Sequence, residues 1–291
     1  MAEHPDLSAT FEAHRPYLLR VAYGTLGSLT DAEDVVQEAW LRLQRVRTPA
    51  EIKDLRAWLT RVVGRLALDA LRRAGHAREQ YVGEWLPEPV VQELDGDPAD
   101  RVTLEESVTM ALLVVLERLS PAERTAFVLH DVFGVPFEEI AEIVGRAPVA
   151  VRQLAARARR HVAESRPRYP ATPEEQRRVV QTFATACAEG DLHALVQALD
   201  GDVVWRSDGG GQVNAMRKPL HGRDRVAKAL LGLTRLTPQA ASFALINGLE
   251  GLVLKDADGV LTVMSFSVAA GRIVAIETIR NPSKLAHVEL P

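Results

Sequence analysis

The strongest constraint on this chain is a change of hydrophobic period near residue 170. From Leu7 to Val162 apolar residues recur three and four apart, and from Val203 onward they alternate. Pro167 and Pro170 stand at the break, where each ring removes an amide donor and stops a helix. A chain of 291 residues written this way is expected to be multidomain, with helical bodies first and an α+β body after them.

The helical part carries its own punctuation. Leu7 to Leu26 is periodic through Phe11, Leu18, Leu19 and Ala22 and ends near Gly24 and Gly27. Thr30-Asp31-Ala32-Glu33 has the threonine and glutamate of a capping box, which predicts a helix from there to about Val46. Val35, Val36, Ala39, Trp40 and Leu43 form its buried stripe, and Asp31, Asp34 and Glu38 line an acidic face. Acids favour the positive end of a helix, which accounts for Asp31 and Glu33. Glu38, two turns in, leaves a basic partner surface as the alternative. After Pro49, Asp54 to Arg73 predicts a third helix with Leu55, Trp58, Leu59, Val62, Val63, Leu66 and Leu71 inward. Arg56, Arg61, Arg65, Arg72 and Arg73 make its other side basic.

Tyr81 to Asp100 is rich in proline and acid. From Glu84 to Glu106 eight acids face one cation, Arg101, so the stretch is expected to be a linker. Trp85 is costly to leave wet and is expected to dock on a domain. Thr103-Leu104-Glu105-Glu106 and Ser120-Pro121-Ala122-Glu123 are two further capping boxes, the first opening a helix to about Leu119. His130, beside Phe127, is expected to pack rather than to bind a metal.

Phe137 to Val144 then reads as a short amphipathic helix, Gly145 as its left-handed stop and Pro148 as the first residue of the next helix. In that helix Val151, Leu154, Ala155, Ala158 and Val162 share one face, and Val149, Arg152, Gln153, Ala156 and Arg160 the other. From Gly145 to Arg168 seven arginines stand against the single acid Glu164. Arginine suits bidentate phosphate and guanine contacts, so the pair is expected to be a helix-turn-helix entering the DNA major groove. A surface helix pair with a solvated basic face is the plainer alternative.

Beyond the prolines, Thr172-Pro173-Glu174-Glu175 predicts a helix to Glu189 and Leu192 to Leu199 a second. Strands are expected at Val203–Trp205, Ser242–Ile246, Leu252–Leu254, Val260–Val268 and Arg272–Arg280, with a helix at Asp224–Leu233. Asp258-Gly259 and Ala270-Gly271 supply hairpin turns. This order predicts a strongly curved antiparallel sheet forming a cone. The single cysteine, Cys187, excludes an internal disulfide or a cysteine-built zinc site and fits a reducing compartment. No run approaches the length of a membrane span, and the N-terminus lacks a signal-peptide pattern, so a cytoplasmic protein without membrane contact is expected. No metal or cofactor is implied.

With these residues assembled, the chain resembles an extracytoplasmic-function sigma factor, of the subgroup with a C-terminal SnoaL-like domain (the ketosteroid-isomerase-type cone). Asp31 to Trp40 is similar to the family's region 2.2, which implies contact of Asp31, Glu33, Asp34, Gln37 and Glu38 with the polymerase β′ clamp helices. Ala57-Trp58-Leu59 through Asp69 and Arg72 is similar to regions 2.3 and 2.4, which implies −10 contacts by Arg56, Arg61, Arg65, Arg72 and Arg73. The helix-turn-helix is similar to region 4.2, which implies −35 contacts. Arg152, Gln153 and Arg157 are then candidates for base edges, and Arg146, Arg159 and Arg160 for phosphates, with Val149 beside them.

The subgroup's own signatures are Trp85-Leu86-Pro87-Glu88-Pro89, Asp208-Gly209-Gly210-Gly211 and Asn281-Pro282-Ser283-Lys284-Leu285. The resemblance implies a σ2 domain at 7–79, an acidic linker at 80–102, a σ4 domain at 103–166, which also meets the polymerase β flap, and a SnoaL-like domain at 172–291. It implies that the last domain tunes activity in cis, with Trp85, Leu86, Pro87, Asp208, Gly209, Gly210, Gly211, Asn281, Pro282, Lys284 and Leu285 as contacts. Three positions depart from the pattern. Arg65 replaces the usual asparagine, Gln212 a basic residue and Ser283 an aspartate. The expected function is promoter specificity for core RNA polymerase without catalysis. The alternatives are a free-standing DNA-binding regulator, or a cone that binds or turns over a small molecule with Asp208, His221 and Trp205.

Overall fold

The computed structural model describes residues 7–48, 51–94, 108–165, 171–234 and 240–288. Among them the chain divides into two compact units, one of residues 7–79, 108 and 112–165, the other of 80–94, 109–111 and 171–288.

The first unit is helical. Helices α1 (Leu7–Leu26), α2 (Leu29–Gln44) and α3 (Leu55–Glu79) each pack on the other two. Leu18, Val21, Ala22, Val35, Val36, Ala39, Leu43, Leu59 and Val63 are buried between them. Trp40 is only half-buried, its ring 4.9 Å from Phe11. Helix α2 starts one residue earlier than the Thr30 box implies. Ser28, with extended backbone, is the cap and accepts from the Asp31 amide. An N-cap needs non-helical φ and ψ, and Thr30 is already inside the helix. Asp54 caps α3 by accepting from Ala57 at 2.9 Å, and α3 runs on to Glu79 rather than stopping at Arg73.

Helices α4 (Met110–Leu116), α5 (Pro121–Phe127), α6 (Phe137–Val144) and α7 (Pro148–Ser165) follow. The Thr103 box lies outside the described residues. The Ser120 box is formed in both directions, Ser120 with Glu123. One wide π turn at Val128–Val132 then rotates the chain into α6. Gly145 ends α6 at φ 71°, a conformation an L side chain resists, and α7 begins three residues later.

In the second unit helices α8 (Pro173–Glu189), α9 (Leu192–Ala198) and α10 (Arg223–Thr234) pack on one sheet. Its strands are β1 (Val91–Glu93), β2 (Leu199–Asp208), β3 (Leu220–His221), β4 (Ala240–Ile246), β5 (Leu249–Lys255), β6 (Leu261–Ala269) and β7 (Arg272–Ile279). The order is β1-β4-β5-β6-β7-β2-β3. All neighbours are antiparallel except β2 and β7, which makes the sheet mixed rather than antiparallel. Some 60 residues separate those two strands, enough for the long connection a parallel pair requires. Phe183, Leu195, Trp205, Val226, Leu230, Phe266 and Ile276 fill the space between helices and sheet, Phe183 edge-on to Phe266 at 5.1 Å. Cys187 packs against this core, and burial pushes its thiol up to about 12, as an inert packed side chain. Two features depart from expectation. The linker contributes the edge strand β1, and Asn247-Gly248, both at positive φ, make the β4–β5 turn.

Candidate functional site

Three charged faces are built on the first unit. On α2, Asp31, Glu33, Asp34 and Gln37 are exposed, and Glu38 reaches Arg42 at 3.0 Å. Periodicity puts Asp31, Asp34 and Glu38 on one side of the helix. On α3 the arginines lie at the surface but are engaged. Arg56 covers the Tyr17 ring at 4.0 Å, and Arg72 and Arg73 hold the side chain and carbonyl of Asp69. Arg61 pairs with Glu142 of α6 at 3.3 Å, and Arg65 donates to the Glu142 carbonyl at 2.9 Å. Arg42, Trp58, Arg61, Val62, Arg65 and Glu142 line a cavity of about 320 Å³ there.

The third face is α7. Val151, Leu154, Ala155, Ala158 and Val162 are buried, and every position between them from Arg152 to His161 is exposed. Val149 is 62% exposed at the start of the helix. Arg152 pairs with Glu138 at 2.8 Å, Arg157 with Glu123 at 2.8 Å and Arg159 with Asp131 at 2.6 Å. Burial works against ionisation of Glu123, but its bonds from Ser120 and Arg157 outweigh that and keep it below its ordinary range. Among the described residues no side chain engages Arg146, Gln153 or Arg160. His130 packs, as expected, stacked on Phe137 at 3.7 Å with Nδ1 3.0 Å from the Val135 carbonyl.

The second unit holds a different kind of site, centred on the fully buried Asp208. One carboxylate oxygen accepts from the Tyr81 hydroxyl at 2.6 Å and the Gly210 amide at 3.0 Å. The other accepts from the Leu86 amide at 2.9 Å and Lys284 Nζ at 2.7 Å. Lys284 also donates to the Leu86 carbonyl and lies 3.9 Å from the centre of the Trp85 ring. Asn281 donates to the Tyr81 oxygen at 2.8 Å. Burial, then the Asp208 carboxylate, pushes the Tyr81 hydroxyl above its ordinary value, so it stays a donor.

The glycines after Asp208 serve close approach. A Cβ on Gly209 would meet the Val213 carbonyl at 2.6 Å, and one on Gly210 the Asn281 amide at 2.5 Å. Further along the linker, His287 faces Glu88 at 3.5 Å and the Pro89 carbonyl at 3.0 Å. Asn247 exchanges two hydrogen bonds with Val90. Leu86, Pro87 and Leu285 are buried, while Pro282 is exposed and opens the turn that aims Lys284. Three separate sequence motifs thus form one binding site for the linker.

The whole chain has known relatives. Residues 10–77 match the family model for Sigma-70 region 2, and residues 109–162 the model for Sigma-70, region 4. The ECF RNA polymerase sigma factor SigJ of Mycobacterium tuberculosis is 43% identical over 94% of this chain and 91% of its own length. The probable ECF RNA polymerase sigma factor SigI of the same species is 38% identical over 98% and 97%. The crystal structure of M. tuberculosis SigJ superposes with a TM-score of 0.81 at 40% identity, covering 98% of this chain and all of that one.

This chain belongs to the extracytoplasmic-function sigma factors. As a sigma factor it binds core RNA polymerase and promoter DNA and directs promoter-specific transcription initiation. The SnoaL-like assignment of its C-terminal domain fits the SigJ structure. Trp205, Asp208 and His221 are not brought together in this sigma factor. Trp205 faces the core and donates to Thr278, Asp208 serves the linker, and His221 is exposed. Among the described residues no group of His, Cys, Asp or Glu could hold a metal, and no helix is long and apolar enough to cross a membrane.

Sequence reasoning missed Tyr81, Asn247 and Glu142. Asn247-Gly248 carried a readable hairpin signal, whereas Tyr81 and Glu142 act through partners far along the chain. Two departures from the subgroup pattern face each other: Gln212 Nε2 donates to Ser283 Oγ at 3.0 Å.

Proposed function

We propose that the acidic side of α2 (Asp31, Glu33, Asp34, Gln37 and Glu38) docks on the β′ clamp helices of core polymerase, and that the domain ending in α7 also meets the β flap. Charge there sets orientation and rate of encounter more than affinity. Arg56, Arg61, Arg65, Arg72 and Arg73 follow the phosphates of the opened −10 strand. Val149, Arg152, Gln153 and Arg157 read −35 bases, while Arg146, Arg159 and Arg160 hold phosphates. The α7 arginine pairs are exposed, so a phosphate can replace their carboxylates at little cost. The protein works in the cytoplasm and catalyses nothing itself.

The C-terminal domain acts in cis by holding or releasing the linker, which in the holoenzyme passes through the polymerase's positively charged channel. The observation that carries this is the four-donor coordination of buried Asp208, in which the linker supplies two of the donors. Run-off transcription with core polymerase on a promoter library tests both parts. Wild type should select one two-element promoter class, and Asp208→Asn with Lys284→Ala should change output without changing the bases selected. Equal output from wild type and both linker-site variants would remove the regulatory role. Failure of wild type to initiate from any promoter would remove the contacts assigned to α3 and α7.

A further inference from the structure

The seam inside the helical unit has a property that the promoter contacts do not explain. Gly64 lies between Arg61 and Arg65 on α3, and a Cβ there would stand 3.0 Å from Ile143 Cδ1 and 3.2 Å from Leu129 Cδ1. Gly24 on α1 is closed in the same way, with Val108, Val128 and Phe133 at 3.3–3.5 Å. Tyr17 meets Phe133 edge-on at 5.9 Å. The centre of the seam is therefore apolar and flush, and at its rim Arg61 and Arg65 reach across to Glu142. The carbonyl that Arg65 takes belongs to the last turn of α6 (Phe137–Val144), the negative end of that helix. Arg65 is also the position where the family pattern has asparagine, whose shorter side chain could not span the gap.

We propose that Arg65, with Arg61 on Glu142, is a latch that holds the helix-turn-helix against α3 in the free protein, so that polymerase and promoter must open it. This rests on the reading of α3 and α7 as −10 and −35 contacts. The geometry supports it by length. The two promoter elements are centred about 25 base pairs apart, roughly 85 Å at about 3.4 Å per base pair. Helix α3, of 25 residues, is only about 38 Å long at 1.5 Å per residue, and α6 is packed against its side. Helix α7 follows α6 after three residues, so the closed unit cannot place both faces on their elements at once. The rim contacts are solvent-exposed and therefore weak, as a releasable latch has to be.

The test uses the full chain with Cys187→Ser and dyes on Ala13→Cys in α1 and Ala163→Cys in α7. Energy transfer should be high in free wild type and fall when core polymerase is added. Arg65→Asn and Glu142→Ala should each raise the open fraction several-fold. Gly64→Leu, which drives a side chain between Leu129 and Ile143 and improves the helix propensity of α3, should open it almost fully. Gly64→Leu should then reach half-maximal transcription at several-fold less core polymerase. Unchanged transfer in Gly64→Leu and Arg65→Asn, or low transfer already in free wild type, overturns the latch. A wild type that closes but never initiates with core polymerase overturns the promoter contacts instead.

Discussion

The two units of this sigma factor handle charge in opposite ways. In the helical unit the arginines are paired at the surface, as with Arg152 and Glu138, whose side chains are 51% and 63% exposed. In the C-terminal unit Asp208 is fully buried and Lys284 is 12% exposed. An exposed pair contributes about 0–1 kcal/mol and exchanges readily with another anion. A buried carboxylate is tolerated only with its donors in place, and losing one partner leaves a desolvated charge. The first arrangement keeps charge available for a nucleic acid, and the second commits it to one intramolecular partner, the linker.

The largest effect that would break this contrast is at the buried site. Asp208→Ala leaves Lys284, the Tyr81 hydroxyl and the Leu86 amide without an acceptor, which should cost about 3–5 kcal/mol. Hydrogen exchange at the Leu86 amide should lose its protection, and linker residues 81–94 should become open to protease. Retained protection would show that the β1–β4 pairing alone seats the linker.

A second buried carboxylate gives a pH test. Burial raises Glu277 to about 7, only partly offset by Arg206 at 3.1 Å, and its second oxygen has no hydrogen-bond partner. Because the folded value lies above the ordinary 4.5, the native state holds the proton over a range where the unfolded chain has lost it. Stability is then fully present below pH 4.5 and falls as pH rises through about 7, by at most about 3 kcal/mol. Exchange of β6 and β7 amides between pH 4.5 and 8 should show that slope, and Glu277→Gln should flatten it. A slope unchanged in Glu277→Gln would place the titration elsewhere.

The exposed side of the comparison is sharpened by Arg152→Ala. Its thermal stability should stay within about 0.5 kcal/mol of wild type, since the pair with Glu138 is exposed. Promoter binding by the holoenzyme should weaken by about 1–3 kcal/mol and lose discrimination at one −35 base pair. Arg159→Ala should instead weaken binding evenly across sequences and reduce its salt dependence. A stability loss in Arg152→Ala with unchanged promoter preference would turn this arginine into a structural residue.

Which parts were legible from sequence follows the same division. Ser120, Thr172, Gly145 and the two faces of α7 were readable because helix caps and helical period act within a few residues. Thr30 misled because a capping pattern says nothing about backbone angle, and Ser28 is the residue whose backbone is extended. Strand β1 has no period to read, being three residues in a proline- and acid-rich run, paired with a strand some 150 residues away. The motifs around Asp208 were visible as motifs. That they close on one carboxylate depends on contacts spanning 76 to 127 residues, which only the folded chain specifies.

The smallest effect concerns Gln212 and Ser283, where the subgroup pattern has a basic residue and an aspartate. Their side chains share one exposed hydrogen bond, so two departures that look independent in sequence replace an ion pair with a neutral pair. Gln212→Arg alone removes that bond and gains no carboxylate, and Ser283→Asp alone gains no cation. Each single variant should therefore be slightly destabilised. The double variant should recover with a coupling of about 0.5 kcal/mol that shrinks as salt is raised. A double-mutant cycle in thermal unfolding, run at low and high salt, measures it. Additive effects at both salts would mean that the two positions changed for unrelated reasons and that the Asp208 site is held without help from its rim.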